Sequence, residues 1–128
     1  MTTTYLDESD LLAAARIILG HQPEVRDVGL LSSALARPAA SMYGQDAYPD
    51  FHEKGAALLI SVTNNHSLVD GNKRLGWLAT RYFYDVNGRA LVFEEEDAYD
   101  LVMSIAKGEQ TDVPAVAAIL AAHSRDLT

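Results

Sequence analysis

The sequence predicts an all-α fold, a compact bundle of about six helices, and three observations carry that expectation. Apolar residues recur at helical spacing in most segments. Aspartates suited to helix N-caps and glycines suited to helix ends bracket those segments. Alternating strand-like runs are missing, apart from one short piece at Arg89 to Phe93. With 128 residues, 48% of them hydrophobic, the chain has the size of one domain, 1–128, around one core. It shows no internal repeat, low-complexity tract or linker.

Ser9 to Leu19 sets Leu11, Ala14, Ala15 and Ile18 at helical spacing, and Gly20 is a natural stop. A second helix is expected from about Asp27 to Ala36, ended by Arg37-Pro38. Residues 37–50 hold two prolines, a glycine and two tyrosines without a period. They read as a loop or flap, long for a compact domain, and such loops often carry function. Asp50 then caps a third helix, with Glu53 three residues on as in a capping box. The run Gly55 to Val62 is apolar on nearly every side, the mark of a central buried helix, and it ends near Asn64-Asn65.

A fourth helix is expected from Asn72 to Val86, with Leu75, Leu78, Ala79, Tyr82 and Val86 as its inward stripe and Asn87-Gly88 as its stop. Arg89 to Phe93 is a short extended piece. Glu94 to Asp97 opens a fifth helix that runs to Gly108. These acids read as first-turn stabilisers rather than as a metal cluster. Asp112 caps a sixth helix, with Pro114 in its first turn and Val113, Val116 and Leu120 facing inward.

Ten Lys and Arg stand against eighteen Asp and Glu, for a net charge of −8. Such a chain repels phosphate backbones, so nucleic-acid binding is not expected, although a local basic spot can still take one small anion. With no cysteine, disulfide frameworks, thiolate zinc sites and cysteine nucleophiles are excluded. The longest apolar stretches, Val113 to Ala122 and Gly55 to Val62, are too short to cross a bilayer. The first residues lack the basic region and apolar core of an export signal. The expectation is a cytoplasmic protein without a membrane partner.

The chemistry concentrates in Asn64-Asn-His-Ser-Leu-Val-Asp-Gly-Asn-Lys-Arg74, between the two central helices. Lys73 and Arg74 fall in the first turn of a helix, where the macrodipole makes each cation unfavourable by about 0.3–1 kcal/mol. The free N–H groups of that turn also need an acceptor. A bound phosphate resolves both conflicts. Gly71 lets the backbone approach it closely. The Asn72 amide can bind an anion or hold the loop. Asp70 offers one carboxylate, a usual protein share in holding Mg²⁺. His66 carries the side chain best poised to take a hydroxyl proton near neutral pH. Base, metal carboxylate and phosphate cradle are the parts of phosphoryl or nucleotidyl transfer.

Each residue alone has an ordinary reading: His66 as a helix-end histidine, Asp70 as an N-cap, Gly71-Asn72 as a turn, Lys73 and Arg74 as solvated cations. Their combination within nine residues between two apolar helices points to the site.

The same residues resemble the Fic/Doc family, whose motif reads His-x-Phe-x-Asp/Glu-Gly/Ala-Asn-Gly/Lys-Arg on a loop between two central helices. Here it stands as His66-Ser-Leu68-Val-Asp70-Gly71-Asn72-Lys73-Arg74, with six of the seven defined positions matched. Leu68 replaces the family's Phe, a core anchor. AMP-transferring Fic members usually carry Gly where Lys73 stands and a second Arg where Trp77 stands. Both departures are similar to the Doc-type branch, as are the length and the helical pattern.

That resemblance implies His66 as general base for a target hydroxyl and Asp70 as the Mg²⁺ ligand. It implies Gly71, Asn72, Lys73 and Arg74 as binders of ATP phosphates. It further implies a toxin that moves phosphate from ATP to a Ser/Thr hydroxyl of a translation factor, elongation factor Tu, and so blocks translation. Residues 37–50 take the place of the family's flap, with Tyr43 and Tyr48 as candidates for target docking, beside their reading as plain surface residues. The inhibitory pattern Ser/Thr-x-x-x-Glu-Gly/Asn of many Fic proteins finds no match; Thr4 to Ser9 fails at Ser9. A separate cognate antitoxin with a disordered tail is therefore the expected regulator.

Rival readings remain beside this one: AMP transfer to a protein hydroxyl, a catalytically inactive interaction module, for which the Leu68 change leaves room, and a metal phosphatase. Arg74, Trp77 and Arg81 share the helix face opposite the core stripe. Trp77 there could stack on adenine or receive the antitoxin, and cover by another helix is the favoured alternative. His21, His52 and His123 have no ligand pattern around them.

Overall fold

The computed structural model describes residues 2–127. Its helices are α1 (Glu8–Leu19), α2 (Val28–Ala36), α3 (Phe51–Asn64), α4 (Asn72–Val86), α5 (Glu95–Ala106) and α6 (Val113–Ala122). Asp7, Asp27, Asp50 and Asp112 cap α1, α2, α3 and α6, each accepting the backbone N–H three residues on at 2.8, 3.1, 3.2 and 3.1 Å. The reciprocal capping box forms at Asp7 and Asp10; at α3 only the Asp50 half is made.

Helix α3 is the centre. Every residue from Lys54 to Thr63 is buried, and α4, α6, α2 and α5 pack around it. An all-round apolar helix can be stable only in such a position. No helix among the described residues is long and apolar enough to cross a membrane.

The inward face of α4 differs from expectation. It consists of Leu75, Gly76, Ala79, Thr80, Phe83 and Tyr84, while Tyr82 and Val86 are exposed at 36% and 37%. The buried stripe is rotated by roughly a quarter turn from an apolar-only reading. Gly76 is the reason. It sits where α4 crosses α3, and a Cβ there would strike the Thr63 side chain and approach the Thr63 backbone nitrogen to 3.2 Å. Thr80 joins the buried face because its hydroxyl donates to the Gly76 carbonyl at 2.7 Å.

The segment expected as an irregular loop at 37–50 holds a 3₁₀ turn at Arg37–Ala39 and a hairpin, β1 (Ser41–Met42) with β2 (Gln45–Asp46). Its two-residue turn, Tyr43-Gly44, has φ of 53° and 78°, both positive as such turns require. A second antiparallel pair was not expected. β3 (Arg89–Leu91) pairs with β4 (Ser124–Asp126) near the C-terminus, with Ala90 opposite Arg125.

Candidate active site

The loop from Asn65 to Gly71 joins α3 to α4, and the connection between α1 and α2 grips it. The backbone N–H groups of Arg26 and Asp27 both donate to the Ser67 carbonyl, at 2.7 and 3.2 Å. The Val69 N–H donates to the Glu24 carbonyl at 3.0 Å, and Val25 and Leu68 form an antiparallel bridge. Leu68 is 1% exposed and belongs to the core cluster, so it fills the anchoring role from which the motif departs in residue type.

Asn72 closes the loop from the other side. Its Oδ1 accepts the Leu68 N–H and its Nδ2 donates to the Leu68 carbonyl, both at 3.0 Å. The amide thus holds the loop, one of the two roles that the sequence reading allows it. Gly71 caps α4 with φ of 89°. A Cβ there would lie 2.9 Å from Leu19 Cδ2, so both the conformation and the space call for glycine.

The reactive groups project from this frame. His66 has a left-handed φ of 53° and is exposed. Asp70 is exposed and does not cap α4, because Gly71 occupies the N-cap. The ordinary reading of Asp70 therefore fails. Among the described residues its carboxylate makes no ion pair, since the single pair there joins Lys54 to Asp46. The same holds for Lys73 and Arg74, both exposed in a first turn that contains no acid and has no side-chain cap. The result is one free carboxylate, two free cations and a helix N-terminus without a side-chain cap, all within residues 70–74.

Mg²⁺ fits this donor set. The ion takes one or two carboxylates and completes its shell with water and phosphate oxygens. Asp70 supplies one such carboxylate, and no cluster of three or more ligating side chains occurs among the described residues.

The two tyrosines of segment 37–50 differ in exposure. Tyr43 is 97% exposed at the tip. Tyr48 is half-buried, and its hydroxyl accepts from Arg37 Nε at 3.0 Å while the guanidinium lies 5.6 Å over its ring. Arg37 thus holds Tyr48 in place, whereas Tyr43 stands free at the tip. Arg37 also donates to Ser61 Oγ at 3.0 Å, tying the segment to α3. Asp46 pairs with the buried Lys54 at 3.2 Å. Burial works against the Lys54 charge, but hydrogen bonds with Tyr5 and Asp46 outweigh it and hold its pKa above the ordinary lysine value.

Along α4 a cavity of about 760 Å³ opens beside Lys73 and Arg74. Trp77 stands on its wall, half-buried, with Phe93 edge-on at 5.0 Å. Phe93 in turn stacks on His123 at 3.9 Å. Phe93, in the segment after β3, thus packs against Trp77, and α5 lines the same cavity. Sequence reasoning missed this cavity and the α1–α2 clamp, because both arise from contacts far apart in the chain.

A family model described as the Fic/DOC family matches residues 5–84, a span that contains the loop and both helices framing it. A protein of Mycolicibacterium smegmatis named Toxin Doc is 47% identical over 121 residues, covering 93% of this chain and 92% of its own length.

Proposed function

This chain belongs to the Fic/DOC family, and from that premise we propose that it is a Doc-like toxin that transfers phosphate from ATP to a Ser/Thr hydroxyl of a translation factor in the cytoplasm. Elongation factor Tu is the proposed acceptor. One observation supports the reading most: Lys73 and Arg74 stand unpaired on the uncapped first turn of α4, beside exposed His66 and Asp70. That arrangement is unfavourable until an anion such as a nucleotide phosphate sits there.

In this mechanism His66 accepts the proton of the target hydroxyl. The hydroxyl oxygen forms its bond to the γ-phosphorus as the bond from that phosphorus to the β–γ bridging oxygen breaks, and ADP leaves. Lys73, Arg74 and the first-turn N–H groups hold the phosphates and take up the charge that develops. Asp70 would hold Mg²⁺, whose contribution is neutralisation of phosphate charge. Asn72 and the α1–α2 clamp keep His66 and Asp70 at fixed positions on the loop. The hairpin at 41–46 with Tyr43 would dock the acceptor chain, and a separate antitoxin would regulate the protein. The seating of Leu68 in the core supports the catalytic reading over that of an inactive interaction module.

Intact mass of purified elongation factor Tu, incubated with the protein, ATP and Mg²⁺, tests this reading. A phosphate-sized gain, lost with Asp70→Ala, is expected. An AMP-sized gain would replace phosphate transfer by AMP transfer. No gain, in a preparation that labels other proteins of a lysate, would remove this acceptor.

A further inference from the structure

We infer that the segment before α1 braces the hairpin at 41–46, with Tyr5 and Asn87 as positioning residues that act on it through the buried Lys54 ammonium. Asn87, at the end of α4, latches this segment. Its Oδ1 accepts the Thr4 N–H at 2.7 Å, and its Nδ2 donates to the Thr4 carbonyl at 2.8 Å. The same Nδ2 donates to the Phe83 carbonyl at 2.7 Å, which ties the latch to α4 itself. The next two side chains are seated in turn. The Tyr5 ring stacks on the buried Phe83 ring at 6.2 Å, and Leu6 belongs to the core.

Lys54 connects this segment to the hairpin. It lies in the first turn of α3 and is 4% exposed. A lysine is almost never buried so far unless its charge is paired. Its Nζ stands between two segments far apart in the chain. On one side is the Asp46 carboxylate of β2 at 3.2 Å. On the other is Tyr5, with its ring centroid at 5.8 Å and its side chain bonded to the ammonium.

The hairpin depends on such ties. Each of its strands is two residues long, and both are exposed throughout. So short a pair is not stable by itself. Asp46 is 56% exposed and can turn to water, whereas Lys54 cannot. The pair therefore lasts as long as the ammonium is kept in one place. A lysine stem has wide rotamer freedom, and Tyr5, itself fixed by the Phe83 stack and the Asn87 latch, takes that freedom away. Without the Tyr5 ring, water would reach the ammonium and its hold on Asp46 would weaken.

This inference rests on the proposed function in one respect, the docking of the acceptor chain by the hairpin. The brace itself is tested without any acceptor, by hydrogen exchange of the full chain read by mass spectrometry. In Tyr5→Leu, exchange at 41–46 is expected to quicken about tenfold while α5 and α6 keep the wild-type rate. Tyr5→Phe keeps the ring beside the ammonium and should restore most of the protection. Asn87→Ala should quicken the same residues. In an Asp46→Ala background, Tyr5→Leu should add nothing at 41–46, because both act on one ammonium. With elongation factor Tu as acceptor, Tyr5→Leu should raise KM for that protein and leave KM for ATP unchanged. Exchange at 41–46 that stays slow in Tyr5→Leu, that quickens by the same factor with and without Asp46, or that quickens equally in α5 and α6 would overturn the inference. The expected exchange pattern with an unchanged KM for the acceptor would remove the hairpin from acceptor docking and leave the brace standing.

Discussion

Asn72 and Leu68 grip each other through two hydrogen bonds, N–H to Oδ1 and Nδ2 to carbonyl, each 3.0 Å long. The residue that begins α4 thereby fixes the backbone of the residue that anchors the loop in the core. His66 lies two positions before that anchor and Asp70 two positions after it, so the same pair of bonds braces the loop that carries both.

Replacing Asn72 with Ala removes both bonds and leaves the Leu68 backbone groups partly buried without partners. A loss of about 1–3 kcal/mol in urea unfolding is expected, together with a fall in kcat larger than any rise in KM for ATP. Asn72→Asp keeps the acceptor and loses the donor, so its stability should fall between wild type and Asn72→Ala.

Lys73 and Arg74 predict a conflict between stability and function. Lys73→Ala should stabilise the free protein by about 0.3–1 kcal/mol by removing a cation from the positive end of α4. The same change should weaken ATP binding, read by calorimetry. Thermal melting with and without ATP separates the two effects, since the nucleotide should raise Tm of wild type more than that of the variant.

His52 predicts loss of stability in acid. Its Nδ1 lies 2.9 Å from the Tyr84 hydroxyl and its Nε2 lies 3.2 Å from Arg89 Nη1. Arginine can only donate, so Nε2 is the acceptor and the ring is neutral. Burial lowers the His52 pKa below its ordinary value of 6.5, and the Arg89 cation adds to this against the pull of Asp50. The unfolded chain therefore binds this proton more readily, and stability should decline as pH falls through and below about 6.5. His52→Gln should flatten that part of the profile in denaturant titrations at stepped pH.

Asp46 predicts how firmly the hairpin is seated. Its partner Lys54 has a side chain only 5% exposed, whereas Asp46 itself is 56% exposed. Solvent screening keeps the expected cost of Asp46→Ala near 1 kcal/mol. The larger effect should be local: faster amide exchange at residues 41–46 and a higher KM for the protein acceptor, with KM for ATP little changed.

The helix caps and the run from His66 to Arg74 were legible in the sequence because each depends on neighbours within a few positions. The inward face of α4 was not, since Gly76 and Thr80 carry no apolar signal and matter only against Thr63 and the Gly76 carbonyl. Strand β4 is three residues long and exists through its pairing with Arg89 to Leu91. The clamp at Glu24 to Asp27 acts through backbone groups, which no residue type announces. The residue type of Asn72 allows it to bind an anion or to hold the loop, and its two bonds to Leu68 are visible only in the folded chain.

The most direct measurement of the proposed chemistry follows label from ATP into protein, with the phosphorus marked at either the α or the γ position. Transfer of the γ label alone, with Mg²⁺ present, and its loss in His66→Ala are the expected results. Transfer of the α label, or γ transfer undiminished in His66→Ala, would contradict phosphate transfer with His66 as its base.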